Sequence, residues 1–319
     1  MRVGLLGTGF AIAHAAIYAA RPDVEDVVVF GRTPTKLAKF AEQFSFATTT
    51  DIDDIYGDPE VDLIDVCLPT AIHAEHVVRA LQAGKDVLCE LPLTSTMAGA
   101  RRIVETQQAT GRQVFVDMFS RFDPGVEFLQ GAVSDGRYGA LKTLRWATLT
   151  ALLWEGYGLG LDSIAIDMMH SSLDTIVAAL GRPQSITALG TSKDSGGSAA
   201  EVMLVYPGAI AQCSASSLMP TPYGVRGNWR AVFTGGVLES TWTAGYEGRA
   251  RTELTEYTDQ GSRSVELPDV EPHAAVIDHV VACREGHATN RLAPASVLDA
   301  LELTLDVHHA LTAEQPSQS

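Results

Sequence analysis

Over the first 120 residues the chain alternates between short apolar runs and longer stretches of helical periodicity. Val3–Leu6, Val27–Phe30, Leu63–Leu68, Val87–Cys89 and Val114–Val116 are apolar almost throughout. Such runs suit strands covered on both faces. Ala11–Ala20, Pro34–Phe44, Ala74–Ala83 and Met97–Thr110 lie between them and predict helices. Arg21-Pro22, Gly84 and Gly111 supply stop signals, and Pro34 sits in a first turn. Strands and helices in this alternation predict a parallel, doubly wound sheet with right-handed crossovers.

The rhythm changes after about Arg121. Leu141–Leu149, Ser185–Leu189, Val202–Tyr206, Ile210–Ser216, Ala231–Thr234, Val237–Thr243, Thr252–Tyr257 and Ser264–Leu267 alternate apolar and polar residues. Turn signals such as Tyr206-Pro207-Gly208 and Thr234-Gly235-Gly236 link them. This pattern predicts a mostly antiparallel sheet with one face open to solvent or a partner. Asp162–Leu180, His273–Arg284 and Ala295–Leu311 return to helical periodicity. The fold class is therefore α/β, in two domains, 1–121 and 122–319, with the C-terminal helix free to pack back on the first. Trp229, Trp242 and Tyr246 fall on sheet strands and read first as a sheet face or dimer interface.

Bulk composition narrows the partners. A chain of 319 residues suggests about two domains, and 46% hydrophobic residues are enough for sizeable cores. A formal charge of −16 argues against nucleic acid or an anionic membrane as partner. Cys67, Cys89, Cys213 and Cys283 form no C-x-x-C pair and read as free thiols of a reducing cytoplasm. No stretch reaches the ~18 apolar residues of a membrane span. Met1–Ala20 superficially resembles a leader, but Gly7, Thr8, Gly9 and His14 interrupt it, so it reads as strand plus helix. No metal site stands out: His308-His309 point to different helix faces, and His73 and His76 lack a ligand cluster.

Val3-Gly4-Leu5-Leu6-Gly7-Thr8-Gly9 runs a strand into glycines at a helix start. Gly7 would permit the tight turn. Gly9, followed by Phe10, would let the backbone approach a pyrophosphate, which the helix N-terminus favours. The third small residue of the motif is not evident: Ile12 stands there, flanked by Ala11 and Ala13. At the end of the second strand, Phe30-Gly31-Arg32-Thr33 contains no acid for ribose hydroxyls. Arg32 and Thr33 instead suit a 2′-phosphate, so NADP(H) is favoured over NAD(H).

Three further segments carry a resemblance: Pro69-Thr70-Ala71-Ile72-His73, the run from Ala80 to Thr94 containing Glu90-Leu91-Pro92, and Ser120-Arg121-Phe122-Asp123-Pro124. The chain resembles the Gfo/Idh/MocA family, the group of glucose–fructose oxidoreductase and inositol dehydrogenase. The resemblance implies a Rossmann domain followed by an α/β domain with a large open sheet. It places Pro69, Thr70 and His73 beside the cofactor, and Glu90 and Pro92 near the nicotinamide. The family motif there is Glu-Lys-Pro, and Leu91 replaces the lysine that donates to the reacting hydroxyl. The family's second motif is Asp followed four residues later by His. Here Asp167 aligns, Ser171 takes the expected His position, and His170 comes one place early. A helix irregularity could bring that His back. By resemblance Asp167, His170 and Ser171 are the catalytic candidates. Arg121, Leu91, Trp154 and Tyr157 are substrate-site candidates, and a homodimer or homotetramer is expected.

The expected activity is hydride transfer between NADP(H) and the carbonyl or hydroxyl of a small, sugar-like metabolite. Two other readings stay open: non-redox chemistry (elimination, cyclisation or isomerisation) with a static or absent cofactor, and a dinucleotide-sensing binding protein.

Overall fold

Arg2–Leu6 forms β1, with Val3, Leu5 and Leu6 wholly excluded from solvent. Each such side chain contributes roughly 1.5–3 kcal/mol of hydrophobic stabilisation. The computed structural model describes residues 1–151, 159–193, 196–244 and 251–313. They fall into two compact units, residues 1–119 with 273–298, and residues 120–272 with 299–319.

In the first unit, β1 is joined by β2 (Asp26–Phe30), β3 (Ala47–Thr49), β4 (Leu63–Val66), β5 (Asp86–Cys89) and β6 (Val114–Val116). The spatial order is β3-β2-β1-β4-β5-β6, with every pair parallel. The predicted doubly wound sheet is thus observed, in the strand order of dinucleotide-binding folds. The helices are α1 (Ala11–Ala19), α2 (Pro34–Phe44), α3 (Asp53–Tyr56), α4 (His73–Gln82) and α5 (Met97–Thr110). Thr96 caps α5 by accepting from the Gly99 N–H. Residues 2–6 and 11–19, within the leader-like stretch, form β1 and α1.

The second unit opens with α6 (Pro124–Asp135), which the sequence pattern did not predict. Its start was nonetheless encoded. Asp123 accepts from the Val126 N–H at 3.0 Å, and Pro124 occupies the first turn. Eight strands follow: β7 (Leu141–Ala151), β8 (Ser185–Ser192), β9 (Ser198–Tyr206), β10 (Ala209–Met219), β11 (Val225–Phe233), β12 (Val237–Ala244), β13 (Arg251–Thr258) and β14 (Gly261–Val265). They pair in the order β14-β13-β12-β11-β7-β10-β9-β8. Only β7 and β10 run parallel; the other pairs are antiparallel.

A π-helical turn, Ala165–Met169, leads into α7 (His170–Leu180). α8 (Pro272–Arg284) falls almost entirely in the first unit, and α9 (Leu298–Thr312) almost entirely in the second. α6, α7 and α9 share one core with the inner face of the large sheet, among them Leu129, Leu173, Ile176, Leu303, Leu144 and Leu204. Trp229 belongs to that core. It is 1% exposed and stacks on Trp146 with centroids 6.2 Å apart, which corrects its reading as an interface residue. Tyr246 lies outside the described residues. The other sheet face exposes Leu189, Met203, Val205 and Ile210.

Candidate functional site

The turn from β1 into α1 requires its first glycine. Gly7 has φ +122°, and a Cβ there would lie 2.3 Å from the Cys67 carbonyl oxygen. Its N–H donates to the Phe30 carbonyl at 2.9 Å, tying the turn to the end of β2. A Cβ built on Gly9 meets nothing within 4 Å, so the backbone there borders open space at the helix N-terminus. That surface suits a diphosphate. Ala11 is buried and fills the small-residue place next to the turn, while Phe10 and Ile12 are exposed. Ile12 points outward and does not fill the helix start.

At the end of β2, Arg32 and Thr33 are both exposed. No acidic side chain stands in the Phe30–Thr33 segment.

Pro69 is exposed and Thr70 half-buried just after β4. His73 is 1% exposed, with Nδ1 3.0 Å from the Pro92 carbonyl and Nε2 2.6 Å from the Leu68 carbonyl. Burial lowers its pKa, with the two carbonyls opposing. His73 therefore braces the loops that follow β4 and β5. Leu91 is half-buried, Pro92 is buried, and the Leu91–Pro92 peptide is cis. The Leu91 N–H donates to Glu90 Oε2 at 3.2 Å.

Glu90 borders a network that sequence reasoning missed. His14, on α1, is 1% exposed. Its Nδ1 lies 2.8 Å from Asp65 Oδ2, and its Nε2 lies 2.9 Å from Asp117 Oδ2 and 3.4 Å from Glu90 Oε1. Tyr18 donates to the same Asp65 oxygen at 2.8 Å, and His273 Nδ1 lies 3.2 Å from Asp117 Oδ2. Burial opposes charge on His14, but Asp65 and its neighbours outweigh it and hold the imidazole well above its ordinary range. Burial, reinforced by Asp117, pushes Glu90 up to about 7. Burial also acts to raise Asp117, but His273 and His14 prevail and hold it low. One sequence signal was available. Asp65 sits in the middle of a strand buried at all four positions, where a carboxylate needs a partner.

In the second unit the three catalytic candidates separate. Asp167 is exposed, yet the surrounding protein and Asp162 raise its carboxyl, with Ser163 opposing. Ser171 is half-buried. His170 is 1% exposed, and its Nδ1 meets Thr304 Oγ1 at 2.8 Å. Thr304 spends its own proton on the Ala300 carbonyl, so His170 is the donor and its Nδ1 carries hydrogen. Burial lowers His170 to about 4, helped by Arg121 and opposed by Asp174. The ring expected as an acid–base candidate is thus enclosed and bonded to a threonine hydroxyl. The anticipated irregularity is present, but a π turn advances ~4.4 residues and so aligns Asp167 better with Ser171 than with His170. Arg121 is clasped by Asp174 through two bonds of 2.8 and 2.6 Å, a fork the sequence did not reveal. Trp154 and Tyr157 lie outside the described residues.

The parallel sheet, its glycine turn and the separate large sheet define a Rossmann-fold protein with an appended α/β unit. Residues 1–118 match the Gfo/Idh/MocA family model, described as an oxidoreductase family with an NAD-binding Rossmann fold. The Rossmann part of the chain is thus similar to this family. The chain is 29% identical over 223 residues to D-glucoside 3-dehydrogenase of Escherichia coli K12, covering 61% of this chain and 60% of that one. It is 37% identical over 144 residues to inositol 2-dehydrogenase of Acidothermus cellulolyticus, covering 44% of this chain and 42% of that one. The match thus spans about half the length of these curated relatives. A crystal structure of an oxidoreductase from Desulfitobacterium hafniense, described as NADPH-dependent, superimposes with TM-score 0.86 at 15% identity, covering 99% of this chain and 96% of that one. That likeness establishes the fold.

Proposed function

We propose that this protein is an NADP(H)-dependent dehydrogenase or reductase of a sugar-like or polyol substrate. The observation that carries the reading is the Gly7–Gly9 turn, which only glycine accommodates at position 7 and which is open over Gly9. The turn and the N-terminus of α1 would hold the diphosphate, Arg32 and Thr33 the 2′-phosphate, and Pro69, Thr70 and the Glu90–Pro92 turn the nicotinamide half. The bound dinucleotide supplies or accepts the hydride. The relatives named for glucosides and inositol support a polyhydroxy substrate. Asp167 and Ser171 are the proposed proton-handling pair, with Arg121 and Leu91 at the substrate. The exposed apolar face of the large sheet supports a homodimer or homotetramer. Four free cysteines fit a reducing cytoplasm.

Leu91 and the buried His170 favour one second reading, in which the dinucleotide is bound without turnover and the chain senses or uses it statically. Titration with NADPH and NADH, followed by nicotinamide fluorescence, then carbonyl substrates, separates the two. Tight NADPH binding with oxidation supports the dehydrogenase. Binding without oxidation supports the second reading, and no binding of either nucleotide overturns both. Leu91→Lys is expected to raise turnover by restoring a donor and a positive charge.

A further inference from the structure

The network around His14 has the makings of a metal centre that the sequence reading did not find. We propose that the first unit binds one divalent transition-metal ion of the zinc class through His14 Nε2, Asp117 Oδ2 and His273 Nδ1. These three atoms lie within 4.8 Å of one another. Nε2 is 2.9 Å from the Asp117 oxygen, which is 3.2 Å from His273 Nδ1. Ligands at ~2.0–2.1 Å from a tetrahedral zinc stand about 3.3 Å apart, so only small shifts are needed to close around an ion.

Two features point to a metal rather than a proton between these groups. His14 Nε2 and Asp117 Oδ1 are buried and lack a hydrogen-bond partner among the described residues. Nε2 sits close to Asp117 Oδ2 but is not aligned to donate to it, whereas a bridging proton would seek a straight N–H···O line. An ion lies off the line joining its donors, and off-line donors are what it requires. The other side of His14 is prepared in the matching sense. Nδ1 faces Asp65, which also accepts from Tyr18, so Nδ1 carries a hydrogen and Nε2 is the nitrogen that faces the cluster. A carboxylate behind a histidine is the usual outer support of a metal ligand.

Charge favours the same conclusion. Asp65, Asp117 and Glu90 bring three carboxylates around one imidazole that is 1% exposed, and a dication offsets them. Three protein ligands leave a fourth position for water, and Glu90 Oε1, 3.4 Å from Nε2, is placed to hydrogen-bond that water. Binding displaces to solvent any proton on Nε2. The ligands come from α1, the residue after β6, and α8, so the ion would join three segments distant in sequence.

The test uses the full chain, stripped with chelator and titrated with zinc and with cobalt chloride. One equivalent is expected to bind, with visible absorption from cobalt in a nitrogen–oxygen site. His273→Gln and Asp117→Asn should each weaken uptake by ~10-fold or more. His273 is partly exposed, so its variant should fold, which circular dichroism would verify. Chelator should lower the Tm of the wild type and leave that of His273→Gln unchanged. A folded wild type without saturable uptake, or uptake indifferent to both substitutions, would overturn the proposal. Nicotinamide fluorescence reports dinucleotide binding separately, so failure here and failure of the redox reading are distinguishable.

Discussion

His14 in the first unit and His170 in the second are each 1% exposed, yet their surroundings drive them to opposite charge states. Carboxylates surround His14 and hold it above its ordinary range despite burial. His170 meets a threonine hydroxyl, and burial takes it down to about 4. Its Nε2 has no hydrogen-bond partner among the described residues, as suits a neutral ring. Burial alone therefore does not decide the charge of a histidine; the partner that shares the burial does. The first unit gathers carboxylates around His14 near the ends of its parallel strands, where ligands bind in such folds, whereas in the second the charges near His170, Asp174 and Arg121, are paired with each other.

The contrast can be broken most forcibly at Asp65. Asp65→Leu strips His14 of its main counter-charge and leaves Asp117 and Glu90 unbalanced. Removing one partner of a buried ion pair costs ~3–5 kcal/mol, to be read from urea unfolding. Acid should expose the second unit's side of the comparison. As pH falls, an unfolded chain protonates His170 near 6.5, while the folded chain resists until about 4. The stability from keeping this ring neutral is complete above 6.5 and is lost on descending to 4, on the order of 3 kcal/mol in all. His170→Leu should remove that part of the pH dependence, and an unchanged acid profile would refute the assignment. The smallest effect is expected at the exposed Arg32. Arg32→Ala should change the unfolding free energy by no more than ~0.5 kcal/mol and weaken NADPH binding by ~1.5–3 kcal/mol, sparing NADH. Equal weakening of both would sever Arg32 from the 2′-phosphate.

Periodicity made most of the architecture legible, because strands buried on two faces and strands buried on one leave different patterns. Short polar elements escaped: Ala47–Thr49 and Asp53–Tyr56 are too brief to show a period. The glycine turn was readable because Gly7 must adopt a backbone that side chains oppose. The His14 network was not readable in the same way. Its members are separated by 51 residues between His14 and Asp65 and by 156 between Asp117 and His273, and only the fold brings them together. His170 illustrates the converse. Its spacing from Asp167 suggested a pair, but the π turn and the Thr304 hydroxyl decide where its ring goes.

The assignment of α8 to the first unit has a consequence for how the protein is made. Arg21 pairs with Asp278, Arg284 bonds Asp86 at 2.9 Å, and the Leu292 carbonyl accepts from Val116. The opening fold is thus closed by residues 273–298, which a ribosome delivers after the entire intervening 120–272. A fragment cut near residue 121 would lack this clasp, so heterologous expression of the nucleotide-binding half alone should yield insoluble material unless α8 is spliced back through a short artificial linker.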